Sequence, residues 1–319
     1  MKFLITGVDG FVGKHLSDRL VEEGHEVFGL SRREHDDSYN TKIKLFIGDI
    51  NCRDMLDGIF ENYKFDGVFN LAGLTHPPTS FIDTVGYFKT NALGSINICD
   101  SIQKNNPSCV LMQCSTPEVY GICPGDREID ESFPLRPMNP YGVSKAAADL
   151  YILERTRNDA VKAFITRAGS HTGPGRPANY SISSDAIQIA KIIRGEQEPI
   201  IKVGNLASQR AVLDVRDIAN SYYKLMLSYL NGDIPNGEVF HVSSKNLREI
   251  GDYLNIMLDV SNVEATTEIE PKFYRKIDIP VQILNYDKIG KYIDWQPEIP
   301  IEQTLIDLVN YWEEELNGS

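Results

Sequence analysis

Residues 2–24 run as a strand, break into glycines and resume as a helix. "KFLIT" is apolar, "GVDG" carries Gly7 and Gly10, and "FVGKHLSDRLVEEG" keeps helical periodicity to a closing glycine. Gly13 completes a set of three glycines between the strand and the helix. Glycine here permits a tight turn and lets backbone N–H groups and the helix N-terminus approach a pyrophosphate. Glycines serve other turns too, so the strand before and the helix after carry the argument.

The alternation continues. "HEVFGL" reads as a second strand, and "KLFIGD", "GVFNLAG", "CVLMQCS" and "AFITRAG" as further ones, separated by helical patterns around 51–63, 84–105 and 139–157. Strands alternating with helices imply an α/β chain: a Rossmann-type, doubly wound parallel sheet that binds ligands at the carboxyl ends of its strands. After residue 168 the pattern loosens into "GSHTGPGRPANY". A helix at "SSDAIQIAKIIRG", strand-like "AVLDV" and "EVFHVSS", and a terminal helix opened by Pro300 and Glu302 follow. We read residues 1–168 as the dinucleotide domain, to which the chain returns around 208–243, and 169–319 as a smaller α/β substrate lobe.

A chain of 319 residues can bury a core of this size in two lobes. Its net charge of −13 argues against nucleic acid and anionic membranes as partners. "MKFLITG" enters a strand at once, and no run of about 18 apolar residues suggests a membrane span. Five cysteines, an odd count with no CxxC pair, fit a reduced, cytoplasmic setting and leave no metal site to expect.

The end of the second strand speaks to the cofactor. An NAD enzyme usually carries an acidic residue there for the ribose hydroxyls. This chain reads "GLSRRE", with Ser31, Arg32 and Arg33. A hydroxyl and guanidinium groups bind a 2′-phosphate that a carboxylate would repel, so NADP(H) is expected. A solvated arginine pair is the bland alternative, and position decides against it.

"PYGVSK" sets Tyr141 and Lys145 one helical turn apart. A phenol is a poor acid–base group at neutral pH without a neighbouring cation, which Lys145 can supply. "CSTPEVYG" adds Thr116 and Glu118, two apart around Pro117. On a strand those two side chains would share a face and act on one substrate.

Together these residues resemble the extended short-chain dehydrogenase/reductase family acting on nucleotide sugars, nearly end to end. The branch is that of the GDP-4-keto-6-deoxy-D-mannose reductases, beside the GDP-mannose 4,6-dehydratases. "TGVDGFVGKHL", "EVFGLSRR", "LRPMNPYGVSKA", "HTGPG", "EPIIKVGNL", "DVRDI", "DIPVQIL" and "WQPEIPIEQTL" carry the likeness. The resemblance implies that Tyr141 is the acid, Lys145 its helper and ribose ligand, and Thr116 a partner of the sugar C4 oxygen. It places Phe11 and Val12 in the cofactor turn, Asp49 and Ile50 beside adenine, and Leu71, Ala72 and Gly73 along the cofactor cleft. His171 falls at the nicotinamide pocket, whereas His76, before two prolines, reads as a loop residue. Arg210 and Arg275 take the places of phosphate-binding arginines, Asp278 that of a nucleoside ligand, and Lys202 lies in a loop over the base. A homodimer built from the helices around 84–105 and 139–157 is implied as well.

Two stretches depart from the branch. Gly169, Ser170 and His171 stand where it usually has Phe-Asn-His, and Arg210, Ala211, Val212 and Leu213 where it has Arg-Asp-Phe-Thr. Ser170, shorter than asparagine, leaves space near the sugar or phosphate. The reading is an NADPH-dependent reductase of a nucleotide-linked 4-keto-6-deoxy-hexose, with hydride passing to C4 as Tyr141 protonates the oxygen. A 4,6-dehydratase, with Glu118 catalytic, and a C4 epimerase are the enzymatic rivals. An NADP-sensing binding protein is the rival from another class.

Overall fold

The computed structural model describes residues 1–34, 42–274 and 279–318. The first half alternates as its periodicity implies: β1 (Lys2–Thr6), α1 (Phe11–Glu22), β2 (Glu26–Ser31), β3 (Ile43–Ile47), α2 (Arg53–Asn62) and β4 (Gly67–Asn70). Short α3 (Pro77–Ser80) and α4 (Thr84–Tyr87) lead through a π-helical stretch, Phe88–Leu93, into α5 (Gly94–Asn105). β5 (Val110–Ser115), α6 (Pro140–Arg157) and β6 (Lys162–Ala168) complete the unit. The expected single helix over 84–105 is therefore interrupted by one widened turn.

β1 to β6 and a later strand, β11 (Val239–Val242), form one seven-stranded sheet among the described residues, in the order 11-6-5-4-1-2-3 and parallel throughout. The strands are apolar on both faces because both faces are covered. In β1, Phe3 and Ile5 enter a core with Leu16 and Leu20 of α1, while Leu4 enters another with Leu56 of α2, Ile98 of α5 and Ile152 of α6.

Beyond β6 come β7 (His171–Thr172), α7 (Ser181–Ile193), β8 (Ile200–Val203), β9 (Gln209–Ala211) and β10 (Leu213–Asp214). Next are α8 (Val215–Leu230), β11 (Val239–Val242), β12 (Leu247–Glu249), α9 (Ile250–Ser261), β13 (Thr266–Ile269) and α10 (Ile301–Gly318). β11 is the seventh strand of the main sheet, alongside β6. α8, absent from the sequence reading, packs on α1 and sends Ile218, Tyr222 and Met226 into the first core, where Tyr222 OH meets Cys114 of β5. α7, α9 and α10 enclose a separate core around Ile189, Val203, Tyr253, Leu254 and Leu308. Ile289, Ile293 and Trp295 pack back into the α1 side of the first core. No helix among the described residues is long and apolar enough to cross a membrane.

Candidate active site

The glycine turn is a backbone-on-backbone contact. Gly7 adopts φ +67°, and a Cβ on it would lie 2.9 Å from Ala72 Cα. A Cβ on Gly13 would lie 2.3 Å from Gly7 O, so only glycine lets α1 sit this close to the turn. The N–H groups at the start of α1 meet no capping side chain at Gly10, as a phosphate cradle requires. Phe11 and Val12 form the first turn of that helix, and both are half-buried.

The other expected cofactor residues gather around this turn, because parallel neighbours end at one edge of the sheet. Ser31 closes β2 and is buried, its hydroxyl accepting the Arg33 N–H at 3.0 Å. Arg32 and Arg33 follow it into solvent. Asp49, after β3, accepts two hydrogen bonds from Asn51, and Ile50 is buried beside Gly94. Leu71, Ala72 and Gly73, after β4, are half-buried. A polar cluster that sequence reasoning missed locks these strand ends together. Thr6 donates to Asn70 (2.7 Å), Asn70 donates to Gln113 (2.7 Å) and Ser95 (3.0 Å), and Ala72 N–H donates to Thr6 (3.1 Å). All four side chains are buried, so the network is worth most where it is complete, as it is here.

α6 brings Tyr141 and Lys145 against the end of β5. Tyr141 is 7% exposed, and burial pushes its phenol above the ordinary value while the Thr116 hydroxyl bonds to it. Lys145, also buried, donates to Cys114 O at 2.6 Å, and its Nζ lies 3.6 Å from where a Gly73 Cβ would stand. The ammonium thus lies beside Gly73, with two N–H groups unbonded among the described residues.

Thr116 and Glu118 do not share a strand face. β5 ends at Ser115, and Thr116 caps a 3-10 turn, Pro117–Tyr120, that proline at its first position favours. Pro117 turns inward and is buried. Glu118 is half-buried and accepts a hydrogen bond from Asn139 Nδ2 at 2.8 Å, while Asn139 Oδ1 caps α6 through Gly142 N–H at 2.7 Å. Asn139 was invisible in the sequence reading, although "NPYG" carries the cap-then-proline signal of a helix start. Asn91, in the π-helical stretch, accepts Leu74 N–H (2.9 Å) and donates to Ser144 (3.0 Å), whose hydroxyl donates to Tyr141 O (2.7 Å). A widened turn at a functional site is common, and here it aims Asn91 between the loop after β4 and α6.

Across the cleft, His171 stacks on Phe11 with ring centroids 5.9 Å apart and planes 3° from parallel. Desolvation, with the nearby Arg176 cation, lowers its pKa to about 4, so the ring is neutral; Nδ1–H donates to Gly169 O at 2.9 Å, leaving Nε2 as an acceptor. Arg176 lies over Phe11 (5.0 Å) and Tyr180 (3.6 Å), and Tyr180 shares a 2.7 Å hydrogen bond with Thr75. His76 is tied in through its carbonyl, which accepts from Tyr87 OH at 2.5 Å.

The expected substrate residues are more scattered. Ser170 is exposed between β6 and β7, and Arg210 is half-buried in β9 with Nη1 donating to Gln209 O at 2.7 Å. Lys202 stands in β8, not in a loop, because Ile200, Ile201 and Val203 make a strand that pairs with β13. Its side chain is exposed. Arg275 and Asp278 lie outside the described residues.

The profile of the GDP-mannose 4,6 dehydratase family matches residues 4–308, and the chain belongs to that family. It is 28% identical to the GDP-6-deoxy-D-mannose reductase of Pseudomonas aeruginosa, over 98% of this chain and 97% of the relative. The solved structure of RMD from Pseudomonas aeruginosa complexed with NADPH superposes with a TM-score of 0.84 at 27% identity, covering 98% of this chain and 99% of the other. The UDP-glucose 4-epimerase of Thermotoga maritima, solved with UDP-glucose, reaches a TM-score of 0.87 at 23% identity, over 99% of this chain and 100% of that one. The first two likenesses bear on the kind of enzyme, and the third on the fold alone. The chain is a nucleotide-sugar-modifying enzyme of the extended short-chain dehydrogenase/reductase type, whose members bind NAD(P).

Proposed function

We propose that this member of the GDP-mannose 4,6 dehydratase family reduces the C4 ketone of a GDP-linked 4-keto-6-deoxy-hexose with NADPH. The observation that carries the reading is the turn after β5. Dehydration across C5 and C6 needs a base at C5 and an acid for the departing hydroxyl. Here Pro117 offers neither a side-chain donor nor an N–H and is buried, and Glu118 is held by Asn139. Reduction needs less: one proton donor, Tyr141, and one orienting hydroxyl, Thr116.

The glycine cradle, Lys145 beside Gly73, and Ser31 with Arg32 and Arg33 fit a dinucleotide carrying a 2′-phosphate. When bound, NADPH supplies the hydride. The chain's own groups do the rest: Thr116 orients the C4 oxygen, and Tyr141 OH delivers its proton there. Lys145 favours the phenolate left behind, since an adjacent cation stabilises that anion. Neutral His171 lines the pocket without adding charge. Ile82 (85% exposed) just before α4, Val85 in α4, Leu93 at the end of the π-helical stretch and Leu150 (56%) in α6 are apolar side chains left in water, which supports a homodimer through this part of the chain.

Dehydration has one residue in its favour, Glu118. The test is NADPH oxidation with a panel of nucleotide-linked 4-keto sugars. Stoichiometric consumption with the GDP-linked ketone is expected, and none with any ketone would remove the reductase reading.

A further inference from the structure

α7 carries a buried carboxylate that no described residue pairs with. Asp185 is 4% exposed, yet among the described residues it meets no hydrogen-bond donor and no counter-charge; desolvation alone acts on it, lifting its carboxyl to about 7. An unpaired buried acid costs stability, and such groups persist where a ligand completes them.

Its surroundings follow from the bonds of its helix. One flank of α7 faces α10: Ser183 Oγ accepts from Trp312 Nε1 at 3.0 Å, and Arg194, just past the helix end, bonds Asn317. The other flank faces β8, where Gln188 grips Lys202 through both amide atoms, at 2.8 and 3.1 Å. Asp185 lies one turn before Gln188 on that flank. Because α7 turns back directly into β8, this level corresponds to the far end of the strand, Val203 and Gly204. The turn at Pro271–Phe273 closes on the same place: Glu270 N–H donates to Val203 O at 2.9 Å, and a Cβ on Gly204 would lie 2.9 Å from Phe273 O. Phe273 and Tyr274 are both left exposed there. The N-terminal end of α7 reaches the cofactor side through Tyr180 and Thr75.

We infer that Asp185 is the base-reading residue of the substrate site and that it selects guanine. This rests on the nucleotide-sugar reading above. Guanine presents N1–H and the N2 amine side by side, two donors matched to the two oxygens of one carboxylate. Uracil and thymine present N3–H between two carbonyls that repel it, while adenine and cytosine pair one amine with an acceptor. An exposed aromatic such as Phe273 offers a face on which the base can stack.

Calorimetry with the NADPH-saturated protein separates the possibilities, using GDP, IDP (which lacks the N2 amine) and UDP. Wild type binds GDP at least about tenfold tighter than IDP. Asp185→Asn weakens GDP by at least about tenfold, removes the GDP–IDP difference and leaves NADPH affinity unchanged. Without nucleotide, Asp185→Asn melts no lower than wild type at pH 8. A carboxyl with a raised folded-state pKa costs stability once pH passes its unfolded value, and in full above the folded one, so the amide relieves that cost. A purely structural acid would give the opposite. Equal affinity for GDP and IDP in wild type would assign the carboxylate to the ribose and overturn the inference, as would unchanged GDP binding by Asp185→Asn. Binding of UDP but not GDP would overturn it while sparing the nucleotide-sugar reading; if no nucleoside diphosphate binds, both fall.

Discussion

Tyr141 is the residue whose role depends most on its neighbours. Burial holds its phenol protonated, Thr116 bonds to it, and Lys145 waits one turn away with its ammonium anchored on Cys114 O. Tyr141→Phe keeps the ring and removes the proton. Turnover should fall at least about 100-fold while NADPH affinity, measured by fluorescence titration, stays nearly constant. Retained turnover would mean that another group donates. At the adenosine end, Arg32 and Arg33 leave buried Ser31 for solvent, free to meet a 2′-phosphate. NADPH should bind more tightly than NADH by about 1.5–3 kcal/mol, and replacing both arginines by alanine should remove most of that gap. Equal affinities in the unmodified protein would rule this out. The sequence made these residues visible because each stands at a strand end or on the first turn of a helix, where position alone restricts its use. Asn139, Asn91 and Asp185 were not visible. The cap that Asn139 makes was signalled by "NPYG", but its hold on Glu118, the bonds of Asn91 and the isolation of Asp185 depend on residues far along the chain, which no local spacing records.

At the scale of elements, legibility followed burial. β1, β2, β4, β5 and β6 are covered on both faces and read as continuous apolar runs, so the sheet stood out in the sequence. β7, β9, β10 and β12 have two or three residues each, too few for any period to register. Among the described residues β8 and β13 pair only with each other, as a two-stranded sheet. α8 did leave a signal: Asp214 caps it through Arg216 N–H, and Val215, Ile218, Ala219, Tyr222 and Met226 repeat at helical spacing. Reading "AVLDV" as one strand hid that start, whereas the structure splits it into β9, β10 and the first helical residue. The start of α6 matters most for function, because Asn139 both caps it and holds Glu118. Asn139→Ala should cost about 0.5–2 kcal/mol, read as a lower denaturation midpoint at unchanged slope. No change in midpoint would show that the cap is dispensable.

For the whole molecule, the parallel sheet gathers the expected cofactor residues at the carboxyl ends of its strands, where His171 stacks on Phe11 and Tyr180 bonds Thr75. Ile82 before α4, Val85 in α4, Leu93 at the end of the π-helical stretch and Leu150 in α6 stay in water, where we propose that a second copy packs. Leu150→Glu should shift the protein from dimer to monomer in sedimentation velocity, with catalysis per chain largely kept. A monomeric wild type would contradict the dimer. The chemistry is decided by a mass measurement on the sugar nucleotide. Incubated with GDP-mannose and NADP⁺, the protein should return the substrate at unchanged mass, because Pro117 supplies no proton and Glu118 is held by Asn139. Incubated with the GDP-linked 4-keto-6-deoxy sugar and NADPH, it should return a product heavier by two hydrogens, with one NADPH consumed per product. Loss of one water from GDP-mannose, with no reduction of the ketone, would contradict the account.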